Sequence, residues 1–502
     1  MASVETKSKW QEAVKSVEWN VRPFVDGDYR DSESTDAFEN VNPVDETVLC
    51  EYGAGSAADI DEAVRVARER FEDGSWSELP VRRRVEILLR LADLIAERKD
   101  EIALLDSVEI GKPIQQALYD AEALSVMVLR SAATFADKVL GDTAQLTSNG
   151  FAFSVYEPRG VVGSICPWNF PSLNAVIKIA PALAAGNTLV LKPSELSPSS
   201  ALKIAELALE AGVPAGVLNV VPGVGETVGE ALALHRNVDL LSFTGSTATG
   251  RRIMELSGQS TGKPVLLECG GKSPTVVFDD VDDLDAVATG ALSTVLWNSG
   301  QVCVAHSRLI AHESIADPLR EKILAQAGAC VPGDPLDDET GFGPLASPEQ
   351  RDRVKRYVAQ GIEDGAEAAL KGEIQESGGC YVHPTVFDRV HDSMSIVREE
   401  IFGPVLCIQR FRTEEEAIAM ANRTEFGLSA TAWTRDLGRA RRLSHALRAG
   451  VVTIRTSGPE DAPADFSALS YEPQKASGFG SEHGLRGLQS YSTSKLVMIN
   501  GD

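Results

Sequence analysis

Cysteine is scarce in this chain and scattered where it occurs. Seven are spread over 502 residues (Cys50, Cys166, Cys269, Cys303, Cys330, Cys380 and Cys407). An odd number with no CxxC pair and no Cys/His cluster excludes a disulfide framework and a structural zinc site, and no metal site is expected. Basic residues are also in deficit: 48 Lys and Arg face 73 Asp and Glu, a net charge of -25. Such a surface repels phosphate backbones and anionic lipid, which argues against nucleic-acid or membrane partners. Long apolar runs are missing as well. "AVIKIAPALAAG" (175–186) is short and interrupted by Lys178, so no transmembrane helix is expected. The opening stretch "MASVETKSKWQEAVKSVEW" has no apolar segment of signal-peptide length. A reducing, cytoplasmic setting is the expectation.

What is present is ordinary globular material, 43% hydrophobic and 24% charged, in a chain too long for one core. "FVDGDY" (24–29) reads as a hairpin turning at Asp26-Gly27. Helical periodicity covers 59–71 and 81–98, where Val85, Leu88, Leu89, Ala92 and Ile95 form one stripe. A further long helix is expected around 114–137. Between 150 and 270 short β-rich runs alternate with helical segments at 198–211 and 226–234. The runs are "GVVGSICPW" (160–168), "TLVLKPS" (188–194), "VLNVVPG" (217–223), "LLSFTGS" (240–246) and "PVLLECGGK" (264–272). Apolar strands alternating with helices signify a buried parallel sheet of βαβ units. A second series follows, with strands at 274–278, 308–312, 405–411 and 451–455. The fold class is therefore α/β with two Rossmann-like α/β domains. "FAFSVYEP" (151–158) and "SKLVMIN" (494–500) stand apart as edge strands in need of a partner.

Several stretches carry possible chemistry. Cys303, in "WNSGQVCVAHSR" (297–308), is either a nucleophile or a small buried hydrophobe. "FTGSTATG" (243–250) follows a strand and opens a helix. Gly245 and Gly250 permit close backbone approach and Ser246 could donate to a phosphate; a plain structural turn fits equally. Lys192 and Glu195 in "LKPSE" leave the sheet's carboxyl edge, where ligands of open α/β folds bind. They read as a ribose-binding pair or as a solvated surface pair. Glu268 in "LLECGGK" follows an apolar strand, and burial there would raise its pKa toward general-base range. Asn169 in "PWNFP" is held between prolines and is an oxyanion donor or a turn asparagine. "EEIFGPV" (399–405) adds Glu400 and Phe402 before a Gly-Pro turn.

Taken in order, "PWNFP", "LKPSE", "FTGST", "ECGGK", "GQVC" and "EEIFGP" strongly resemble the NAD(P)-dependent aldehyde dehydrogenase superfamily. "NPVDETVL" (42–49), "EIGKP" (109–113) and "FGLSA" (426–430) extend the likeness from about Phe24 to the C-terminus. The resemblance implies Cys303 as nucleophile, Glu268 as general base, and Asn169 with the Cys303 backbone N–H as oxyanion hole. It implies Lys192 and Glu195 at the adenosine ribose, Ser246 with its Gly245–Gly250 turn at the pyrophosphate, Glu400 and Phe402 at the nicotinamide end, and Trp168 among the cofactor-binding residues. The expected division is 1–137 and 158–267 for the cofactor domain and 138–157 for an oligomerisation hairpin. Residues 268–470 form the catalytic domain, and 471–502 return to the cofactor domain with a bridging strand.

The expected activity is oxidation of an aldehyde to the acid by the hydrolytic branch, in a homodimer or homotetramer. NAD is expected over NADP, because Glu195 would repel a 2′-phosphate. A CoA-acylating enzyme is the nearest alternative, disfavoured by the carboxylate at Glu268. A catalytically silent protein on the same fold should have lost Cys303 or Glu268. Two departures from the family stand out: Cys269 in place of the usual leucine, and "LSYEP" (469–473) in place of "PFGG".

For the substrate, the helix opening at Pro171 should present Phe170, Asn174 and Ile177 on one face toward Cys303, with Trp297, Val302 and Val304 completing the wall. Relatives acting on carboxylated semialdehydes tend to hold arginine at the place of Ile177, and those acting on small or cationic aldehydes tryptophan. Isoleucine implies an apolar, widened tunnel for uncharged aldehydes of medium bulk. The alternative is that specificity resides in the divergent segment 454–473.

Overall fold

The structure, a computed structural model, describes residues 2–32, 34, 37–147, 150–456 and 466–500. Two large sheets organise it. The first runs Asp28–Tyr29, Phe24–Val25, Leu218–Val220, Thr188–Lys192, Val161–Ile165, Leu240–Thr244, Val265–Glu268, Gly478–Phe479. Its five central strands are mutually parallel, and an antiparallel neighbour closes each side. Every residue of Val161–Ile165 and Thr188–Lys192 is buried, which is why these strands read as continuous apolar runs. The order steps outward through 161, 188 and 218, then reverses to 240 and 265. The reversal places a crevice at the carboxyl ends of Val161–Ile165 and Leu240–Thr244, the ligand-binding position of open α/β sheets.

The second sheet runs Glu367–Leu370, Thr385–Asp388, Val405–Phe411, Arg308–His312, Pro274–Val277, Ser429–Trp433, Val451–Arg455. All its pairings are parallel except that of Glu367–Leu370 with Thr385–Asp388. Three of these strands, Glu367–Leu370, Thr385–Asp388 and Ser429–Trp433, were not expected. "EAAL" and "SATAW" are too poor in branched residues to announce a strand, and burial between neighbours decides their conformation instead.

Local signals hold elsewhere. The hairpin at 24–29 turns through Asp26 and Gly27, both at positive φ. Helix Ala57–Glu72 starts at a capping box of Ser56 and Asp59, and helix Val81–Glu97 buries Leu88, Leu91, Ala92, Leu94 and Ile95. The helix expected over 114–137 begins at Ile114 and ends at Phe135, and it widens into a π-helical stretch at Asp120–Ser125. The two lone strands satisfy each other. Gly150–Pro158 pairs antiparallel with Ser492–Asn500 along its whole length, and Thr143–Thr147 covers its other side. The outer strand Ser492–Asn500 leaves Leu496, Met498 and Ile499 exposed.

Candidate active site

The carboxyl ends of the first sheet's strands supply one wall of the site. Strand Val161–Ile165 leads through Pro167 and Trp168 to Asn169; Thr188–Lys192 ends on Lys192; Leu240–Thr244 runs into Gly245 and Ser246; Val265–Glu268 ends on Glu268. Cys303 comes from the opposite side, in the loop between helix Leu284–Leu296 and strand Arg308–His312 of the second sheet.

That loop approaches through an unusual backbone. Asn298, Ser299 and Gly300 all have positive φ, a conformation that costs free energy at non-glycine residues and persists only when the surroundings impose it. Here they do: Asn298 N–H donates to Gln116 Oε1 (2.9 Å), its Nδ2 to Asn169 O (2.7 Å), and Ser299 Oγ to Gly343 O (2.7 Å). A methyl group on Gly300 would lie 2.4 Å from the Gly403 carbonyl. The turn is thereby pinned, and Cys303 with it. Asn169 Nδ2 donates to Gln301 O at 2.9 Å, tying the asparagine to the loop two residues before the thiol.

Glu268 is buried, and its Oε1 has no protein hydrogen-bond partner among the described residues. Burial first, then the neighbouring Glu482 carboxylate, hold its pKa well above the ordinary carboxylate range; Lys178 opposes them. Burial pushes the Cys303 thiol up to about 12, helped by the charges of Glu268 and Glu400, while the Val304 N–H favours the thiolate. The sulfur and the carboxylate share one low-dielectric neighbourhood, the carboxylate discouraging charge on the sulfur. Gly271 makes the approach possible: a methyl there would lie 2.4 Å from the Cys303 carbonyl oxygen.

Lys178 and Glu482 escaped the sequence reading. The lysine lies in apolar helix Pro171–Ala184 and donates to the Glu482 carboxylate, both ends being largely buried. A lone lysine in an otherwise apolar helix was the available signal, since such a charge needs a partner. Its partner, 304 residues away, had none.

The other expected residues fall into two groups. Lys192 Nζ donates to Glu195 Oε2 at 2.9 Å, and Tyr52 OH donates to the Glu195 carbonyl. Ser246 caps helix Thr247–Gln259, its hydroxyl accepting the Thr249 N–H. Gly250 has a different setting from Gly245: it is buried, and a methyl there would lie 2.7 Å from Cys269 Sγ, so it serves packing of the helix against the sheet. Glu400 rests on the step after Glu268, accepting the Gly271 N–H at 2.9 Å where a methyl on Gly270 would collide with it. Trp168 meets Phe402 edge to face at 5.3 Å. Gln350 and Arg353, also unforeseen, donate to the carbonyls of Phe402 and Glu400 and hold that loop.

Phe170 packs its ring face on the Lys112 ammonium (3.5 Å), which also pairs with buried Asp120. Trp297 meets Tyr119 edge-on at 5.9 Å. Val302 is buried, Val304 half-buried. Asn174 is buried as a residue, and its carboxamide, not among the sealed polar atoms, has no hydrogen-bond partner among the described residues. Ile177 borders a cavity shared with Phe135, Pro181, Glu482, His483 and Leu488. Residues 457–465, within the divergent segment, lie outside the described residues.

No helix among the described residues is long and apolar enough to cross a membrane, and no His/Cys/Asp/Glu group among them is arranged to hold a metal.

The residues fit a dinucleotide. A helix N-terminus follows a glycine at the sheet's switch point, and Thr244 Oγ1 is buried there without a partner among the described residues.

Known proteins agree with this arrangement. A sequence profile of the aldehyde dehydrogenase family matches residues 29–497. The NADP/NAD-dependent aldehyde dehydrogenase PuuC of Escherichia coli (strain K12) is 40% identical over 497 residues, 98% of each chain. The aminoacetaldehyde dehydrogenase of Pseudomonas aeruginosa is 41% identical over 480 residues, covering 96% of this chain and 95% of that one. Among solved structures, P. syringae AldA indole-3-acetaldehyde dehydrogenase in complex with NAD+ and IAA superimposes with a TM-score of 0.94 at 40% identity, covering 98% of this chain and 99% of that one. A motif order spread over two sheets, a profile match across nearly the whole chain and relatives matched end to end converge: the chain belongs to the aldehyde dehydrogenase family and is an NAD(P)-dependent oxidoreductase acting on aldehydes.

Proposed function

We propose that Cys303 is the nucleophile, Asn169 and the Cys303 N–H the oxyanion hole, and Glu268 the base in oxidation of an uncharged, medium-sized aldehyde to its acid. The observation that carries this reading is the convergence of the three from separate elements, with Asn169 hydrogen-bonded to the loop of Cys303 and Glu268 perturbing the thiol. An aldehyde has no leaving group, and its hydrogen departs as hydride only from a tetrahedral adduct. The sulfur bonds to the carbonyl carbon as its proton passes to solvent, and the former carbonyl oxygen takes the C=O electron pair as an oxyanion. Asn169 Nδ2 has two hydrogens; one goes to Gln301 O and the other is available to that oxyanion. NAD+, when bound, supplies the acceptor for the departing hydride. The carbonyl re-forms as a thioester on Cys303. Glu268, with one oxygen lacking a protein partner, takes a proton from water as its oxygen attacks the thioester. The acid leaves and the sulfur recovers a proton.

Lys192 and Glu195 would hold the adenosine ribose, Gly245 and Ser246 the pyrophosphate, and Trp168, Glu400 and Phe402 the nicotinamide end. Glu195 supports NAD over NADP, since one of its oxygens lies on Lys192 and its charge opposes a 2′-phosphate. An uncharged substrate is supported by Ile177, Val302 and a Phe170 face already occupied by Lys112. The indole-3-acetaldehyde named for one structural neighbour is such a compound. A homodimer or homotetramer is supported by the exposed apolar side chains and free outer edge of Ser492–Asn500.

The test is NADH production over an aldehyde panel with and without CoA, repeated with Cys303→Ala. The variant should lose turnover while still binding NAD, and CoA should be without effect. More than a few percent of residual turnover would refute the nucleophile. A preference for succinate semialdehyde or betaine aldehyde over benzaldehyde-like compounds would refute the substrate class.

A further inference from the structure

Tyr471 lies in the "LSYEP" block, where this chain departs from its family's usual sequence. One antiparallel bridge brings it to the catalytic centre. Tyr471 N–H donates to Glu482 O at 3.2 Å, and Glu482 N–H to Tyr471 O at 3.1 Å. Directly opposed residues of an antiparallel pair project their side chains to the same face. The Glu482 carboxylate goes to Lys178, on the helix that begins two residues after Asn169. The phenol therefore projects toward the same interior. Its surroundings agree: the charges acting on it are those of Glu268, Glu482 and Cys303, and with burial they hold the hydroxyl protonated. The His483 ring lies 5.8 Å from the Tyr471 ring and is itself met edge-on by Phe466 at 5.0 Å. This fixes one side of the phenol.

The hydroxyl has no hydrogen-bond partner among the described residues, and it is not among the sealed polar atoms of the core. A protonated phenol projecting to the same side as the Glu482 carboxylate, without an acceptor of its own, is a donor awaiting one. The two nearby carboxyl groups make an anionic acceptor unfavourable.

Resting on the assignment of Cys303 as nucleophile, we propose that Tyr471 is a specificity-determining residue whose hydroxyl donates to an uncharged oxygen carried by the substrate within a few atoms of the aldehyde carbon. The favoured class is hydroxy-, alkoxy- or oxo-substituted aldehydes over hydrocarbon aldehydes of equal size. Asn174, also buried with an uncommitted carboxamide, is compatible with the same polar substrate.

The experiment uses isosteric pairs: methoxyacetaldehyde against butanal, and 3-methoxypropanal against pentanal. kcat/KM is measured for the full-length wild type and Tyr471→Phe, which keeps the ring and its His483 contact. The ether-to-alkane ratio should fall about 3- to 10-fold in the variant, the value of one neutral hydrogen bond. Alkyl aldehydes should stay within about twofold. Equal losses on both members of each pair would overturn the proposal, since they would mean the hydroxyl positions Glu268 instead. No change in either would overturn it as well. Cys303→Ala, run alongside, separates the underlying assignment: turnover surviving in that variant refutes the nucleophile alone, and the Tyr471 ratio is judged independently.

Discussion

Asn169 and Gln301, 132 residues apart, are joined by a 2.9 Å hydrogen bond that spans from the first sheet to the loop of Cys303. One hydrogen of that donor fixes the loop, and in the mechanism proposed above the second goes to the oxyanion. Asn169→Ala should lower kcat about 10²- to 10³-fold, the usual effect of losing an oxyanion donor. The melting temperature should drop only slightly. Stopped-flow hydride transfer checks the first, and a wild-type rate would rule out the oxyanion role.

Glu268 should govern the second half of the reaction. Glu268→Gln is expected to give a burst of NADH followed by a slow steady state, because water activation is lost and adduct formation is not. The pH dependence has a definite sign. The carboxyl pKa is raised, so the group is a protonated non-base at acid pH and becomes competent only as pH rises through that elevated value. The wild-type thioester hydrolysis rate should climb with pH across a limb above the normal carboxylate range, and the glutamine variant should lack that limb. Loss of the burst itself would assign Glu268 to thiol deprotonation.

At the ribose end, Glu195→Gln should narrow the preference for NAD. Neutralising the carboxylate removes a repulsion on the 2′-phosphate, and a tenfold change in the kcat/KM ratio corresponds to about 1.4 kcal/mol. Equal wild-type kcat/KM for NAD and NADP would show that Glu195 swings aside.

Deleting residues 494–502 removes most of the outer strand Ser492–Asn500 and uncovers Gly150–Pro158. The assembly state in light scattering should fall. An unchanged dimer or tetramer would place the interface elsewhere.

Much of this site was legible because open parallel sheets put their chemistry at strand ends. Asn169, Lys192, Ser246 and Glu268 each announce themselves by following an apolar run, and each is found on or just after its strand. Contacts between distant segments leave no such local trace. Lys178 could be seen to need a partner, but nothing near Glu482 in sequence named it. Tyr471 was visible only as a departure from a familiar block; the bridge to Glu482 that directs its phenol is a property of the folded chain. Gly250 shows the converse limit: its place in a glycine-bearing turn is plain in the sequence, while the Cys269 Sγ that its missing side chain leaves room for is a property of the fold. Strands 151–158 and 494–500 both look like edge strands in need of a partner; the structure makes the first the middle strand of three, and sequence spacing could not reveal that the second would be one of its neighbours.

The antiparallel contact of Gly478 with Glu268 has a consequence for biosynthesis. The strand ending in Glu268 keeps an open edge until a segment roughly 200 residues downstream arrives to cover it. At translation speeds of about 5–20 residues per second, that edge waits on the order of 10–40 s. Over that interval the nascent first sheet carries an unpaired strand edge beside Glu268, the kind of edge that can pair wrongly with another chain. The edge beside Glu268 is closed only once Gly478 and Phe479 have been made and folded back onto it.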